Sequence, residues 1–182
     1  MKEQFKYFLQ DVRKMSGKRK SRILYIWLSR CFVGVFMYRL ERGLYLTFGK
    51  FYTVLRVFLS PLLNIIQAYS NVDIHYKAAI KGGLLILHPS NGVVISGQAI
   101  IGYNLTLTGG NVIGLSRKCK VGDFVIGDNC NLGANAVIMG PLHLANTIKI
   151  GACACVVKDC LNADVTLVGV PAKMIAKKEL IL

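Results

Sequence analysis

Acidic residues are few: nine Asp and Glu stand against 23 Lys and Arg, leaving a net charge of +14. Such an excess implies an anionic neighbour: a membrane surface, an acidic polymer or a phosphorylated ligand. Histidine is scarcer still, with three residues, His75, His88 and His143. The six cysteines form no Cys-x-x-Cys pair, so their spacing does not suit zinc. Met1–Met15 is polar and charged and does not read as a secretory leader. The cysteines are therefore expected to be reduced thiols used as small packing residues in a cytoplasmic protein, not a disulfide framework. Cys153 and Cys155 alternate, which in a strand puts both on one face. Long uncharged apolar runs are also lacking. Ile23–Tyr69 is interrupted by Arg30, Arg39, Arg42, Lys50 and Arg56, short of the roughly 18 residues a membrane span needs.

What is present falls into two parts. Residues 1–70 carry 13 Lys and Arg and three acids, a balance of +10; residues 71–182 carry ten and six, a balance of +4. The first part reads as a basic, amphipathic α-helical region. A short helix is broken by Gly17, a second runs from about Arg22 to Gly43, and a third from about Phe51 to Tyr69. Pro61 is expected to kink or interrupt the third. A basic cluster runs from Arg13 to Arg22, with six Lys and Arg in ten residues. Two roles fit these helices: packing on the rest of the chain or a neighbouring subunit, and lying on the inner face of a membrane as a peripheral contact.

After Asn71 the helical spacing stops and an aliphatic residue recurs at every sixth position. Ile74, Ile80 and Ile86 form one block, and Ile95, Ile101, Leu107 and Ile113 a second. The third is Ile126, Leu132, Ile138, Leu144, Ile150 and Val156. Many are followed by a small residue, as at Gly102, Gly127, Gly133 and Gly151, and another recurs four positions on, as at Ala99, Cys130, Ala136 and Ala154. Six residues make a short strand plus a sharp turn, and three such units make one triangular coil with the aliphatics stacked inside. Glycine is expected to supply the turn conformations. The fold class is thus mainly β: a left-handed parallel β-helix of hexapeptide repeats over residues 71–182, behind a short α-helical region.

The phase slips twice. Three residues beyond one hexad separate Ile86 from Ile95, and one beyond two hexads separates Ile113 from Ile126. Insertions in a solenoid become loops, where sites tend to sit. The first holds His88-Pro89-Ser90-Asn91-Gly92; the second holds Arg117, Lys118, Cys119 and Lys120. His143 reads as structural. His88, in a phase break, can leave the coil. Asp73 lies fifteen residues earlier, close to one coil back, where a carboxylate can hold an imidazole's tautomer and its cationic form.

Three segments around these residues, Asp73-Ile74-His75, Gly83-Leu84-Leu85-Ile86-Leu87-His88 and Gly92-Val93-Val94-Ile95, resemble the active-site region of the serine acetyltransferases. Val168-Gly169-Val170-Pro171-Ala172-Lys173 resembles the closing motif of hexapeptide acyltransferases in general. The resemblance covers about residues 70–176. It implies an acetyl-CoA-dependent O-acetyltransferase that needs no metal. His88 would be the general base, Asp73 its dyad partner, and backbone N–H groups would stabilise the oxyanion. It also implies a homotrimer, with CoA in a groove between subunits. By position Ala134 and Ala152 would lie along the pantetheine arm, Gly114 at the thioester, and Lys149 and Lys173 near the CoA phosphates.

The departures concern the acceptor. The family has an aspartate just before the catalytic histidine; here it is Leu87. The family's later Gly-Asp-Arg-His-Pro segment, which contacts the acceptor, reads Gly122-Asp123-Phe124-Val125. Together with the shortened basic N-terminus, these resemble the capsule and colanic acid O-acetyltransferases, and imply a sugar hydroxyl of a surface polysaccharide or its precursor. The alternative is serine O-acetylation in cysteine biosynthesis. Two other classes compete. A γ-type carbonic anhydrase shares the β-helix but needs two zinc histidines close in sequence, a pair that His75, His88 and His143 do not provide. A β-helix without activity predicts no CoA binding.

Overall fold

A computed structural model of the chain describes residues 1–17, 21 and 24–175. Lys18, Arg19, Lys20 and Arg22 of the basic cluster lie outside the described residues. Three helices come first: α1 (Lys2–Ser16), α2 (Arg30–Phe48) and α3 (Lys50–Ser70). As expected, Gly17 ends α1, with a positive φ of 59°. The second helix starts later than the sequence predicts, because Ser29 caps it by accepting the Phe32 N–H at 3.1 Å. Pro61 does not interrupt α3. The carbonyl its missing N–H would have bonded belongs to Val57, and the Ser60 hydroxyl donates to that oxygen at 2.8 Å instead.

The strands then wind coil by coil. The first coil is β1 (Val72–Ile74), β2 (Ala79–Ile80) and β3 (Leu85–Ile86); the second is β4 (Val93–Ile95), β5 (Ile100–Ile101) and β6 (Thr106–Leu107). The third is β7 (Asn111–Leu115), β8 (Val125–Ile126) and β9 (Asn131–Leu132); the fourth is β10 (Val137–Gly140), β11 (His143–Leu144) and β12 (Lys149–Ile150). β13 (Cys155–Val156), β14 (Thr166–Val168) and β15 (Lys173–Ile175) complete the described chain. Every pairing between coils is parallel, giving three sheets; only β15 runs antiparallel, against β14. The molecule is a β-solenoid with helices at its N-terminal end.

The hexad aliphatics form the core ladders. Ile74, Ile95, Ile113, Ile138 and Val156 are in register on the first sheet, and Ile86, Leu107, Leu132 and Ile150 on the third. All nine are buried. Burying each stabilises the fold by about 1.5–3 kcal/mol before entropy is counted. Ala99, Cys130, Ala136 and Ala154 are also buried, filling the space where each strand begins.

Glycine supplies turn conformations as expected, for example at Gly83, Gly92 and Gly110, but it shares them. Among the described residues the left-handed turn positions fall to Asn104, Asn129, Asn135, Thr147, Cys153 and Asp164 as well as to glycine. Asn and Asp tolerate this region because their short side chains bond locally. Gly127 and Gly133 instead let successive coils stack: a Cβ on Gly133 would lie 2.6 Å from the Ala152 nitrogen, and one on Gly127 2.7 Å from Ala145 backbone. Gly133→Val is therefore expected to force two coils apart and cost about 1–3 kcal/mol. A lowered midpoint in a urea titration checks this; an unchanged midpoint contradicts it. Cys153, at one of these turns, is not in a strand and does not share a strand face with Cys155.

The helices close the open first coil. Buried Tyr38 of α2 donates to the Ala78 carbonyl at 2.9 Å and accepts the Ile80 N–H at 3.2 Å. Arg39, also buried, donates to the carbonyls of Ile80 and Lys81 and pairs with Asp11 of α1 at 2.8 Å. Asp11 in turn accepts the Leu84 N–H at 2.7 Å. Backbone groups that the next coil would otherwise satisfy are thus bonded by side chains of α1 and α2. Gly34 lets α2 press against Val72, where a Cβ would sit 2.7 Å away.

Candidate active site

His88 sits at the corner between the third sheet and the first, just before a short 3-10 turn, Pro89–Asn91. Its backbone is fixed from several sides. Its N–H donates to the Thr108 carbonyl at 2.9 Å, and its carbonyl accepts from Asn91 at 3.2 Å. Gly109 below it has φ 135° and presses on that carbonyl, which leaves no room for a Cβ. Asn71 ties the turn back by donating to the Ser90 carbonyl at 2.8 Å. The three extra residues of the first phase slip form this corner, as the sequence implies. The imidazole is exposed. It borders a hollow of about 530 Å³ between the corner and the helices, lined also by Leu87, Lys14, Cys31 and Arg30.

Asp73 does not stack beneath His88. The first coil is lengthened by that same corner, so Asp73 pairs with Val94 on the next coil. It borders a separate hollow of about 440 Å³ with Asn71, Gly92 and Val93, across the 89–92 turn. No hydrogen bond joins the two side chains. His75 follows Asp73 by two residues and stacks on Tyr76 at 4.5 Å, with its Nδ1 accepting the Lys77 N–H. Burial, and then Arg56 and Lys77, push its pKa down.

Of the expected CoA residues, Ala134 and Ala152 share His88's edge of the prism. Gly109 and Gly110, Ala134 and Asn135, then Ala152 and Cys153 occupy successive coils at this corner. They are linked by Asn135 N–H to Gly109 carbonyl at 2.9 Å and Cys153 N–H to Ala134 carbonyl at 2.8 Å. With coils about 4.8 Å apart, they make a narrow track of small residues running from His88 toward the C-terminal end. Lys149 lies exposed on β12 beside the track, and Lys173 exposed on β15. Gly114 lies elsewhere, on β7 opposite Met139.

The second phase slip is larger than it looks in the sequence. Ile113 and Ile126 belong to consecutive strands of one coil, so the chain between them is one hexad plus a seven-residue loop. The loop leaves between the first and second sheets, a different edge from His88. His143 donates through Nε2 to the Gly122 carbonyl at 3.0 Å and Cys119 bonds Gln98, both holding the loop, while Phe124 is buried at its exit. The structural reading of His143 stands. Arg117, Lys118 and Lys120 are exposed.

Two functional positions are not evident from the hexads. Gly109-Gly110 carries the close approach beneath His88; its signal is the Gly-Gly dipeptide itself. Lys14, in the basic cluster, donates to the carbonyls of Gly83 and Asn104 at 2.9 and 2.7 Å. Burial pushes its pKa down to about 8, opposed by Asp11. It serves the coil and is not a free surface cation.

No family model matches the chain. It is 36% identical over 141 residues to the serine acetyltransferase of Helicobacter pylori, covering 77% of this chain and 78% of that protein. It is 35% identical over 118 residues to the serine acetyltransferase of Buchnera aphidicola. Several such relatives are longer: the match spans 43% of the Buchnera protein and 48% of that of Mycobacterium tuberculosis, so the chain corresponds to about half their length. The crystal structure of serine acetyltransferase from Neisseria gonorrhoeae in complex with serine superposes with a TM-score of 0.79 at 29% identity, covering 96% of this chain and 70% of that one. These neighbours share both the β-solenoid and the helices that precede it.

Proposed function

Because this chain belongs to the serine acetyltransferase family, we propose that it transfers acetyl from acetyl-CoA to a hydroxyl group, with L-serine as the acceptor. The observation that carries this is the exposed imidazole of His88 at the head of the small-residue track of Gly109-Gly110, Ala134 and Ala152. A pantetheine arm laid along that track delivers the thioester to His88. His88 takes the hydroxyl proton as the oxygen attacks the thioester carbonyl, and returns it to the departing CoA sulfur. Arg30, in the same hollow, suits an acceptor that carries a carboxylate. In this reading the chain acts as a homotrimer, an arrangement that would bring the 116–124 loop of one copy toward the His88 corner of another, since the two lie on different edges of one prism.

A sugar hydroxyl is the second reading, and Leu87 favours it. This residue is 51% exposed in the hollow, where the family places a carboxylate that would meet an amino acid's ammonium. A product assay decides. With L-serine as sole acceptor, acetyl-CoA consumption should yield O-acetylserine, seen by mass spectrometry. CoA release with hexose acceptors and none with serine would replace serine by a sugar.

A further inference from the structure

Among the described residues a long row of exposed apolar side chains lies on α3, and its Tyr69 end adjoins the hollow beside His88 through Tyr25 and Arg30. Phe51, Leu55, Phe58, Leu62, Ile65 and Tyr69 are all exposed, Phe58 at 78%. At about 100° per residue they fall on one arc of about 80°, over a length of about 27 Å. No charged residue interrupts the stripe, since Lys50 and Arg56 are the only charges in α3. Arg56 points the other way, bonding Glu41 of α2 at 2.7 Å. At the Tyr69 end the stripe continues into exposed Tyr25, Trp27 and Leu28, where Arg30 sits over the Tyr69 ring at 5.9 Å.

We propose that this face of α3 is a membrane-docking surface that lies in the headgroup layer of an anionic lipid bilayer. Three observations select that occupant. The stripe is straight and uncharged, is widened by exposed Val54 and Val57, and is edged by Trp, Tyr and Arg, the residues of membrane interfaces. The surrounding surface is basic. Of the three acids in residues 1–70, Asp11 is buried against Arg39 and Glu41 against Tyr52 and Arg56, which leaves Glu3 as the exposed acid beside the exposed cations Lys2, Lys6, Arg13, Arg30 and Lys50. A second copy of the same face would bring that charge against itself, whereas anionic lipid neutralises it. The helix is also long and apolar enough to cross a bilayer. It does not do so here: Tyr52 and Arg56 anchor its opposite face to Glu41, and one residue, Asn71, joins it to β1. It therefore lies on the membrane instead of spanning it.

Trp27, the sole tryptophan, provides the readout at the edge of the face. The full chain is mixed with vesicles of phosphatidylcholine alone or with phosphatidylglycerol added, and with the double variant Phe58→Glu/Ile65→Glu. Expected are co-sedimentation and a blue shift of Trp27 emission with the anionic vesicles only, weakened by high salt. The variant should partition at least about tenfold less, with an unchanged circular dichroism spectrum, since both side chains are exposed. No Trp27 shift and no co-sedimentation of the unaltered chain overturns the proposal, a result that does not depend on how the variant folds. A lipid-independent change in oligomeric state in the variant overturns it too, and assigns the face to a second copy. Acetyl transfer from the candidate active site is read separately, so either claim fails without the other.

Discussion

Replacing Asp11 with alanine is expected to destabilise the chain by about 3–5 kcal/mol, the cost of stranding a buried charged partner. Asp11 and Arg39 are both buried and joined by two hydrogen bonds. Removing the carboxylate leaves Arg39 uncompensated and takes the acceptor from the Leu84 N–H, in the layer where the helices meet the first coil. Arg39 still reaches the Ile80 and Lys81 carbonyls, which limits the loss. Asp11→Asn should cost less, because it keeps an acceptor for Leu84. Burial pushes the Asp11 pKa up, against the lowering effects of Arg39 and the backbone N–H groups of Leu84 and Gly83. A raised folded-state pKa means the native chain holds this proton more tightly than the unfolded chain. The linked contribution is full below about pH 3.9, the unfolded reference, and is lost as pH rises through the folded value. Urea titrations of the three proteins across that window measure both effects. Equal midpoints for Asp11→Ala and the unaltered chain would show that the pair does not hold the cap.

The solenoid was legible because its signal is repetitive and physical. An aliphatic at every sixth place can only be buried by stacking coil on coil, and the ladders from Ile74 to Val156 do this. What the repeat could not carry was the length of its interruptions. The step of thirteen positions from Ile113 to Ile126 looks like two hexads and one more, yet only the register shows that no further strand lies between β7 and β8. The same limit applied to Asp73. Its spacing from His88 suggested stacking, but the inserted corner lengthens the coil and sets Asp73 opposite Val94. The helices were placed by their apolar spacing, while the Ser29 cap and the Ser60 bond that accommodates Pro61 depend on geometry. The glycines were legible in part: Gly83, Gly92 and Gly110 take turn conformations as expected, whereas Gly127 and Gly133 admit a neighbouring coil and asparagines share the turn strain. In the candidate site, His88, Ala134 and Ala152 fall on one edge because whole coils separate them, whereas Gly114 lies off it on β7. The role of Lys14 was hidden because a basic cluster gives no sign of which cation turns inward.

His88→Ala is expected to lower turnover by about 10²–10⁴, or roughly 3–5 kcal/mol of barrier, by removing the general base. CoA affinity should hardly change, because the track of small residues below the corner stays intact. Asp73→Asn should cost less than His88→Ala. The double variant should be little worse than His88→Ala alone if the two residues act as a unit, because such effects are not additive. Steady-state turnover of His88→Ala, with the acceptor identified by product analysis and CoA binding measured in parallel, is the most direct test of acetyl transfer at this corner. The account predicts a hundredfold or greater loss of turnover, by the usual worth of a general base of about 10²–10⁴, with CoA still bound. Near-normal turnover in that variant would contradict it.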